Sequence, residues 1–431
     1  MSLKTFLFSL ALSMVVPVES SPCQPADHAI TDMFALRASR ALYVESGEVI
    51  DDVVVLIKGD RITEFGANLP IPDGVAVIDL GDRTILPGLI DAHTHLAIQP
   101  DYSALNPILY KSIPYRTIEA VAGAEATLMA GFTTIRDIDS EGADWADVAV
   151  RDAINNGVIP GPRMQVATLS ISITGGYMNQ NDLAPQIDAP HFGSLIDSSD
   201  DLVPEVRRQI KNGADFIKIY ATGTTRHVNL ETMEPMTQFS LDDIKIVVDE
   251  AARFGKPVAA HAYGGEGARN AVLAGVRSIE HGMLLDDEIM KLMIERGTFW
   301  VPTFSVYMED GPRSGWSERA RKLVESHERA FRRALQLGVR IAYGTDAGAL
   351  PHGDNAIDFG IMVDYGMTPL QAIQSATIQA ADLMGMSGDI GTLKSGALAD
   401  VIAVTGNPLD DITLLGDVEF VMKGGTVYRS P

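Results

Sequence analysis

The chain has 431 residues, with 34 basic and 57 acidic side chains and a formal net charge of −23. Nucleic-acid binding draws on basic patches that release counterions from phosphates, and no run of Lys or Arg here exceeds a pair, which excludes that class and disfavours an anionic membrane surface. Apolar residues at 46% with charged residues at 21% describe a chain that builds a sizeable core, and with Cys23 as its only cysteine it forms neither an internal disulfide nor a zinc site of several thiolates.

In chain order, Met1-Ser2-Leu3-Lys4 precedes an apolar stretch from Thr5 to Val18 and then Glu19-Ser20-Ser21-Pro22. A short positive region, about a dozen apolar residues and a small residue at the end match a secretory signal peptide cleaved near Ser20. The alternatives are a buried helix or a membrane anchor, although the run is short of the ~20 residues that a span needs. The expectation is a signal peptide over residues 1–20 and a secreted or periplasmic mature protein without membrane contact.

From Phe34 to Gly81, short apolar runs alternate with Gly and Asp turns: Ala41–Val44, Val53–Lys58, Arg61–Phe65 and Val75–Ile78. These read as the strands of an antiparallel sheet. The same texture returns in Asp400–Val404, Val418–Met422 and Thr426–Tyr428. One small β domain built from both ends, residues 21–83 and 390–431, is therefore expected.

Between the ends, residues 84–389 alternate strand-like runs with amphipathic helices. Eight candidate strands are Ile85–His95, Thr133–Ile138, Met164–Ile173, Phe216–Ala221, Val258–Tyr263, Ser278–Gly282, Thr298–Phe304 and Arg340–Thr345. Ser240-Leu-Asp-Asp predicts a capped helix that stops at Gly255, and Thr368-Pro369 starts another that ends near Gly385. Strand and helix in alternation imply a parallel sheet with helical crossovers, and eight repeats suit a (β/α)8 TIM barrel. The expected fold is thus an α/β chain, a TIM barrel carrying a small β-sandwich domain formed from both chain ends. An open doubly wound sheet is the alternative, but the Gly-rich turn it normally carries after its first strand is missing.

Polar residues stand where several of these apolar runs end. The first closes on His93-Thr94-His95, whose imidazoles share a face because residues two apart on a strand do. Taken alone, such a pair is as often incidental as functional. His261 ends the fifth run, His281 the sixth and Asp346 the last. Four strands ending in metal-capable side chains at the face where barrel enzymes keep their chemistry point to a metal centre. Lys218, flanked by Ile217 and Ile219, points inward. It either bridges to Asp346 or Asp137, or loses its proton to burial and adds carbon dioxide, giving a carbamate able to span two cations.

These residues, in this order and on these strands, resemble the amidohydrolase superfamily with a binuclear metal centre. Pro87-Gly-Leu-Ile-Asp-Ala-His-Thr-His95 and Gly391-Thr-Leu-Lys-Ser-Gly-Ala-Leu-Ala-Asp400 extend the likeness over nearly the whole mature chain. Within it the chain is most similar to Xaa-Pro dipeptidases, arginine carboxypeptidases and imidazolonepropionase-like enzymes, and especially to ochratoxin-hydrolysing amidohydrolases. The resemblance implies that His93, His95 and Asp346 hold the more buried metal, that His261 and His281 hold the second, and that carbamylated Lys218 bridges them. Zinc suits imidazole and carboxylate best, with manganese, cobalt and iron compatible. It further implies amide hydrolysis by a hydroxide held between the ions, Asp346 as the catalytic proton shuttle, and a homo-oligomer.

The expected substrate is a small amide or dipeptide-like molecule with a carboxylate, and ochratoxin A, cleaved to ochratoxin alpha and phenylalanine, fits that description. The loop after the fourth strand offers Tyr220, Arg226 and His227, and the related region in the family helps to bind the substrate carboxylate. His352 is a further pocket candidate. Tyr177 follows Gly175-Gly176 where many relatives carry His, a departure that favours a bulky or aromatic acyl group. The rivals are a deaminase or cyclic-amide hydrolase on the same barrel, and a metal-free binding protein on the same scaffold. Gly264 stands three residues after His261, where a mononuclear deaminase usually has Glu, and no metal ligand is missing.

Overall fold

The computed structural model describes residues 33–100, 107–176, 184, 186–187, 189–308 and 318–431. The N-terminal apolar run, Cys23 and Tyr177 lie outside the described residues. No helix among the described residues is long and apolar enough to cross a membrane.

Strands Met33–Tyr43, Glu48–Lys58, Arg61–Ala67, Ala76–Asp79 and Thr84–Pro87 join Val401–Val404, Phe420–Lys423 and Thr426–Arg429 in one eight-stranded sheet. Leu36, Val53, Val55 and Ile57 from the first part of the chain pack with Val401, Ala403, Phe420 and Met422 from the last in a single cluster. The sheet is mixed, which corrects the antiparallel expectation. Met33–Tyr43 pairs antiparallel with Glu48–Lys58 but parallel with both Ala76–Asp79 and Thr84–Pro87. Its 11 residues leave room for two short strands in succession along one edge. Between those two the chain only jogs at Gly81 (φ 59°), held by Leu80 N to Arg37 O and Ser39 N to Gly81 O.

The strand expected over Ile85–His95 is two strands. Thr84–Pro87 belongs to the end sheet, whereas Leu89–Thr94 pairs in parallel with Phe132–Asp137. Gly88 makes the transfer, and only glycine fits there, since a Cβ would stand 2.1 Å from Thr133 Oγ1. The run Met164–Ile173 is also broken, into Arg163–Val166 and Ile171–Ser172, with Thr168 at φ 67° between them.

Apart from the short antiparallel pair Val228–Asn229 and Glu234–Pro235, the strands of the middle segment pair in parallel. Leu89–Thr94, Phe132–Asp137 and Arg163–Val166 form one sheet, and Ser194–Leu195, Ile171–Ser172, Ile217–Tyr220, Val258–Gly264, Ser278–Leu284 and Phe299–Val301 form another. Asp215 N donates to Val166 O across the gap between them. Arg340–Thr345 carries only isolated bridges, yet it bonds to both sides: Ala342 N to Trp300 O, and Ala92 N to Tyr343 O. Helices cover these strands as the sequence predicts. Ser240 caps Leu241–Ala252 through a capping box with Asp243, and Thr368 caps Pro369–Gln374 through one with Gln371. Apolar side chains of the helices and the outward faces of the strands make the main core, among them Ile217, Val247, Ile279, Met290 and Phe331.

Candidate active site

Four histidines, one lysine and one aspartate converge at the C-terminal ends of these strands. The His93 ring centroid lies 5.3 Å from His95 and 4.9 Å from His281, and His281 lies 4.6 Å from His261. Asp346 Oδ1 is 3.1 Å from His95 Nε2 and 3.7 Å from His93 Nε2. Ligand atoms of His93, His281 and Asp346 all fall within 4.8 Å of one another, close enough to share one cation.

Each ring is turned by a bond on its other nitrogen. His93 Nδ1 donates to Glu280 Oε2 at 2.8 Å, which fixes the tautomer and leaves Nε2 as the acceptor facing the cluster. His95 Nδ1 donates to the Asp139 carbonyl at 3.0 Å. His281 Nδ1 meets Thr303 Oγ1 at 2.8 Å and the Tyr307 phenol at 3.2 Å. His261 is bound through the opposite nitrogen, Nε2, to Gly223 O at 3.3 Å. Among the described residues His93 Nε2 has no hydrogen-bond partner although it is fully buried.

The backbone here is held in unusual conformations. His281, Thr303 and Asp346 have φ of 70°, 54° and 67°, positions that cost strain and that cluster at functional sites. At His281 the consequence is direct. Strand alternation alone would send Glu280 and His281 to opposite faces, yet both reach His93, because the left-handed residue breaks the alternation. At Gly344 a Cβ would stand 2.8 Å from His93 Cβ, so the last segment presses its backbone against the first metal-capable side chain.

Lys218 is fully buried, and its Nζ has no hydrogen-bond partner among the described residues. The bridge to Asp346 or Asp137 is therefore not made. Nζ lies 5.4 Å from the centroid of the Tyr220 ring. Burial lowers its pKa, against the pull of Glu280 and Asp139. The surroundings are acidic: Asp137, Asp139, Glu141 and Asp147 are all buried on the His95 side. Burial opposes a charge on His95, but Asp346, Glu141 and Asp139 lift its pKa to about 10, whereas burial, with Lys218 acting in the same direction, holds His93 near 4 despite Glu280. An interior with this many carboxylates and unpartnered nitrogens suits bound cations.

Of the residues expected to bind substrate, Tyr220 lies at the cluster, its ring 4.6 Å from His261. His227 is half-buried on the following turn, Thr225–His227, and Arg226 beside it is exposed. Thr224 N donates to His227 Nδ1 at 3.1 Å. His352 is placed elsewhere: its Nε2 donates to Ile98 O at 3.0 Å and its ring lies on Gly123, without ring contact to the four histidines.

Three further residues were not legible from spacing. Glu280 binds Arg136 Nη2 at 2.8 Å and accepts from Ser278 Oγ as well as from His93. Burial opposes its ionisation, but Arg136 and His93 hold its pKa at about 2. Asp91 accepts four bonds, from His93 N, Thr345 N, Thr345 Oγ1 and Asn355 Nδ2, and so locks the first strand to the segment that carries Asp346. A signal existed in both cases, a carboxylate inside an otherwise apolar strand that must find partners when buried. Asp91→Ala should lower the unfolding free energy by about 3 kcal/mol or more, measured by urea denaturation; a change below ~1 kcal/mol would show that the lock carries no weight. The third is Arg319, considered below.

A model of the amidohydrolase family matches residues 84–428, and the chain belongs to that family. The ochratoxinase of Aspergillus niger is 32% identical over 415 residues, 89% of this chain and 84% of that protein. Among solved structures, a Xaa-Pro dipeptidase with bound methionine in its active site is 34% identical, with a TM-score of 0.83 over 93% of this chain and 100% of that one. The crystal structure of the A. niger ochratoxinase superposes with a TM-score of 0.82 at 28% identity, covering 93% and 96%.

Proposed function

We propose that this protein is a binuclear metal-dependent amidohydrolase that cleaves the amide bond of N-acyl or aminoacyl amino acids in the manner of a carboxypeptidase. The parallel strands are read as a (β/α)8 barrel and the end sheet as its attached β-sandwich. The carrying observation is the pair of buried nitrogens without a hydrogen-bond partner among the described residues, His93 Nε2 and Lys218 Nζ, together with the grouping of His93, His281 and Asp346. Such groups are costly unless a ligand completes them, and imidazole with carboxylate suits zinc. His93, His95 and Asp346 would hold one ion, His261 and His281 the other, and Lys218, as a carbamate, both.

Divalent ions held there would supply Lewis-acid polarisation of the scissile carbonyl and a water acidic enough to attack near neutral pH. Asp346 is the carboxylate placed to accept a proton from the attacking water and to deliver it to the departing nitrogen. Its strained backbone and its contacts to His93 and His95 keep the carboxylate in one place. Tyr220, Arg226 and His227 hold the substrate carboxylate, while Tyr177 favours a bulky or aromatic acyl group, as in ochratoxin A. A secreted or periplasmic location and a homo-oligomeric state complete the reading.

Xaa-Pro dipeptide hydrolysis is the second reading, favoured by the 34% identity to the solved dipeptidase. Zinc-loaded protein should be assayed on N-acyl amino acids, Xaa-Pro dipeptides and ochratoxin A, before and after chelation. Chelator-sensitive release of a free amino acid from the first or third class is the expected result. Turnover confined to Xaa-Pro substrates would transfer the assignment to the dipeptidase, and turnover confined to cyclic amides or amidines would overturn both.

A further inference from the structure

The loop that follows Ile217–Tyr220 is a short β excursion. Gly223 N donates to Met236 O, Met236 N donates to His227 O, and Val228–Asn229 pairs antiparallel with Glu234–Pro235. In this register Val228 occupies a non-hydrogen-bonded position opposite Pro235, so its carbonyl faces away from the hairpin. A guanidinium meets it there. Arg319 Nη1, from the helix Glu318–Leu337, donates to the Val228 carbonyl and to the Thr225 carbonyl, the latter at 3.0 Å. The two acceptors bracket Arg226 and His227.

Two properties of this contact bear on binding. Arg319 is half-buried, and both of its bonds go to neutral carbonyls, so no carboxylate among the described residues pairs with its charge. By contrast, His227 is a neutral donor. Thr224 N–H points at Nδ1, so Nδ1 accepts and the ring proton sits on Nε2, and burial together with Arg226 lowers its pKa. The imidazole thus supplies a hydrogen bond but no charge. Charge selection on this turn falls to the guanidiniums, and a half-buried one is screened less than an exposed one.

We infer that Arg319 is a specificity-determining residue for this site, selecting substrates that carry a free carboxylate by setting the 225–228 turn and holding a guanidinium charge against its carbonyls. The inference rests on the carboxylate-binding reading given above. No other residue of that helix has been assigned to the site.

The test compares N-acetyl-L-phenylalanine with its C-terminal amide, two ligands that share the scissile bond and differ in charge. Wild type and Arg319→Gln, Arg319→Lys and Arg319→Ala variants are assayed for hydrolysis and, separately, for binding by titration calorimetry. In Arg319→Gln, which keeps a donor but loses the charge, KM for the acid should rise about tenfold with kcat within threefold, and the amide should be unaffected. Arg319→Lys should recover most of the preference for the acid. Equal losses for acid and amide, or a fall in kcat at constant KM, would reduce Arg319 to a structural tie and overturn the inference. So would a wild type that binds both ligands equally. If wild type hydrolyses neither ligand yet prefers to bind the acid, and Arg319→Gln abolishes that preference, the specificity role stands while the hydrolytic reading fails.

Discussion

Lys218→Met should cut amide hydrolysis by roughly a thousandfold while raising the melting temperature of the metal-free protein. The two effects share one cause. Nζ is buried without a hydrogen-bond partner among the described residues, and an apolar side chain of similar volume there removes the desolvation cost of an unsatisfied polar group, about 1–3 kcal/mol. The same substitution removes the amine that, in the proposed reading, would carry the bridging carbamate. Loss of electrostatic stabilisation at the reacting carbonyl should lower kcat/KM by roughly a thousandfold. Bound metal, measured by mass spectrometry, should fall from about two ions per chain to one or fewer. A variant that keeps two ions and full activity would remove Lys218 from the centre. A variant that loses activity but melts lower than wild type would show that the amine is satisfied in a way the geometry does not express.

Glu280→Gln should weaken metal binding by about 10–100-fold, the usual consequence of losing an outer carboxylate from a ligating imidazole. Here the carboxylate does two jobs. It holds the proton of His93 on Nδ1, which keeps Nε2 directed at the cluster, and it neutralises Arg136 inside the protein. An amide in its place can donate to neither partner usefully and leaves a buried guanidinium without its counterion. Removal of one partner from a buried pair costs about 3–5 kcal/mol, so the variant should also unfold at distinctly lower denaturant. Metal titration and urea unfolding read the two effects separately. Unchanged affinity with lowered stability would assign Glu280 to Arg136 alone, and unchanged values of both would contradict the network.

The comparison between sequence and structure is clearest at single residues. His93, His95, His261, His281 and Asp346 could be picked out because each ends an apolar run, and a polar side chain there has no reason to interrupt burial unless it has a task. Lys218 was visible for the same reason, as an ammonium between two isoleucines. The helix caps at Ser240 and Thr368 were legible because they depend on neighbours three residues away. Glu280 was not, because period-two alternation assigns it to the face opposite His281, and only the left-handed backbone at His281 sets that aside. The direction of pairing in the end sheet was misjudged because parallel placement depends on where a long partner strand has room, which the short strands do not encode.

What the sequence determined by itself is the chemistry: a cysteine-poor, acidic chain with imidazole, carboxylate and a buried amine as its metal-capable groups, in the order that marks the amidohydrolase family. Those features are local and survive without coordinates. Tertiary structure decided the orientation of each ring through its second nitrogen, the burial of Lys218 without a hydrogen-bond partner among the described residues, the lock at Asp91, and the reach of Arg319 to a turn about 90 residues earlier in the chain. Hydrogen bonds between residues so far apart depend on how strands and helices pack, and that packing is set by the whole core, so no spacing rule along the chain can express them.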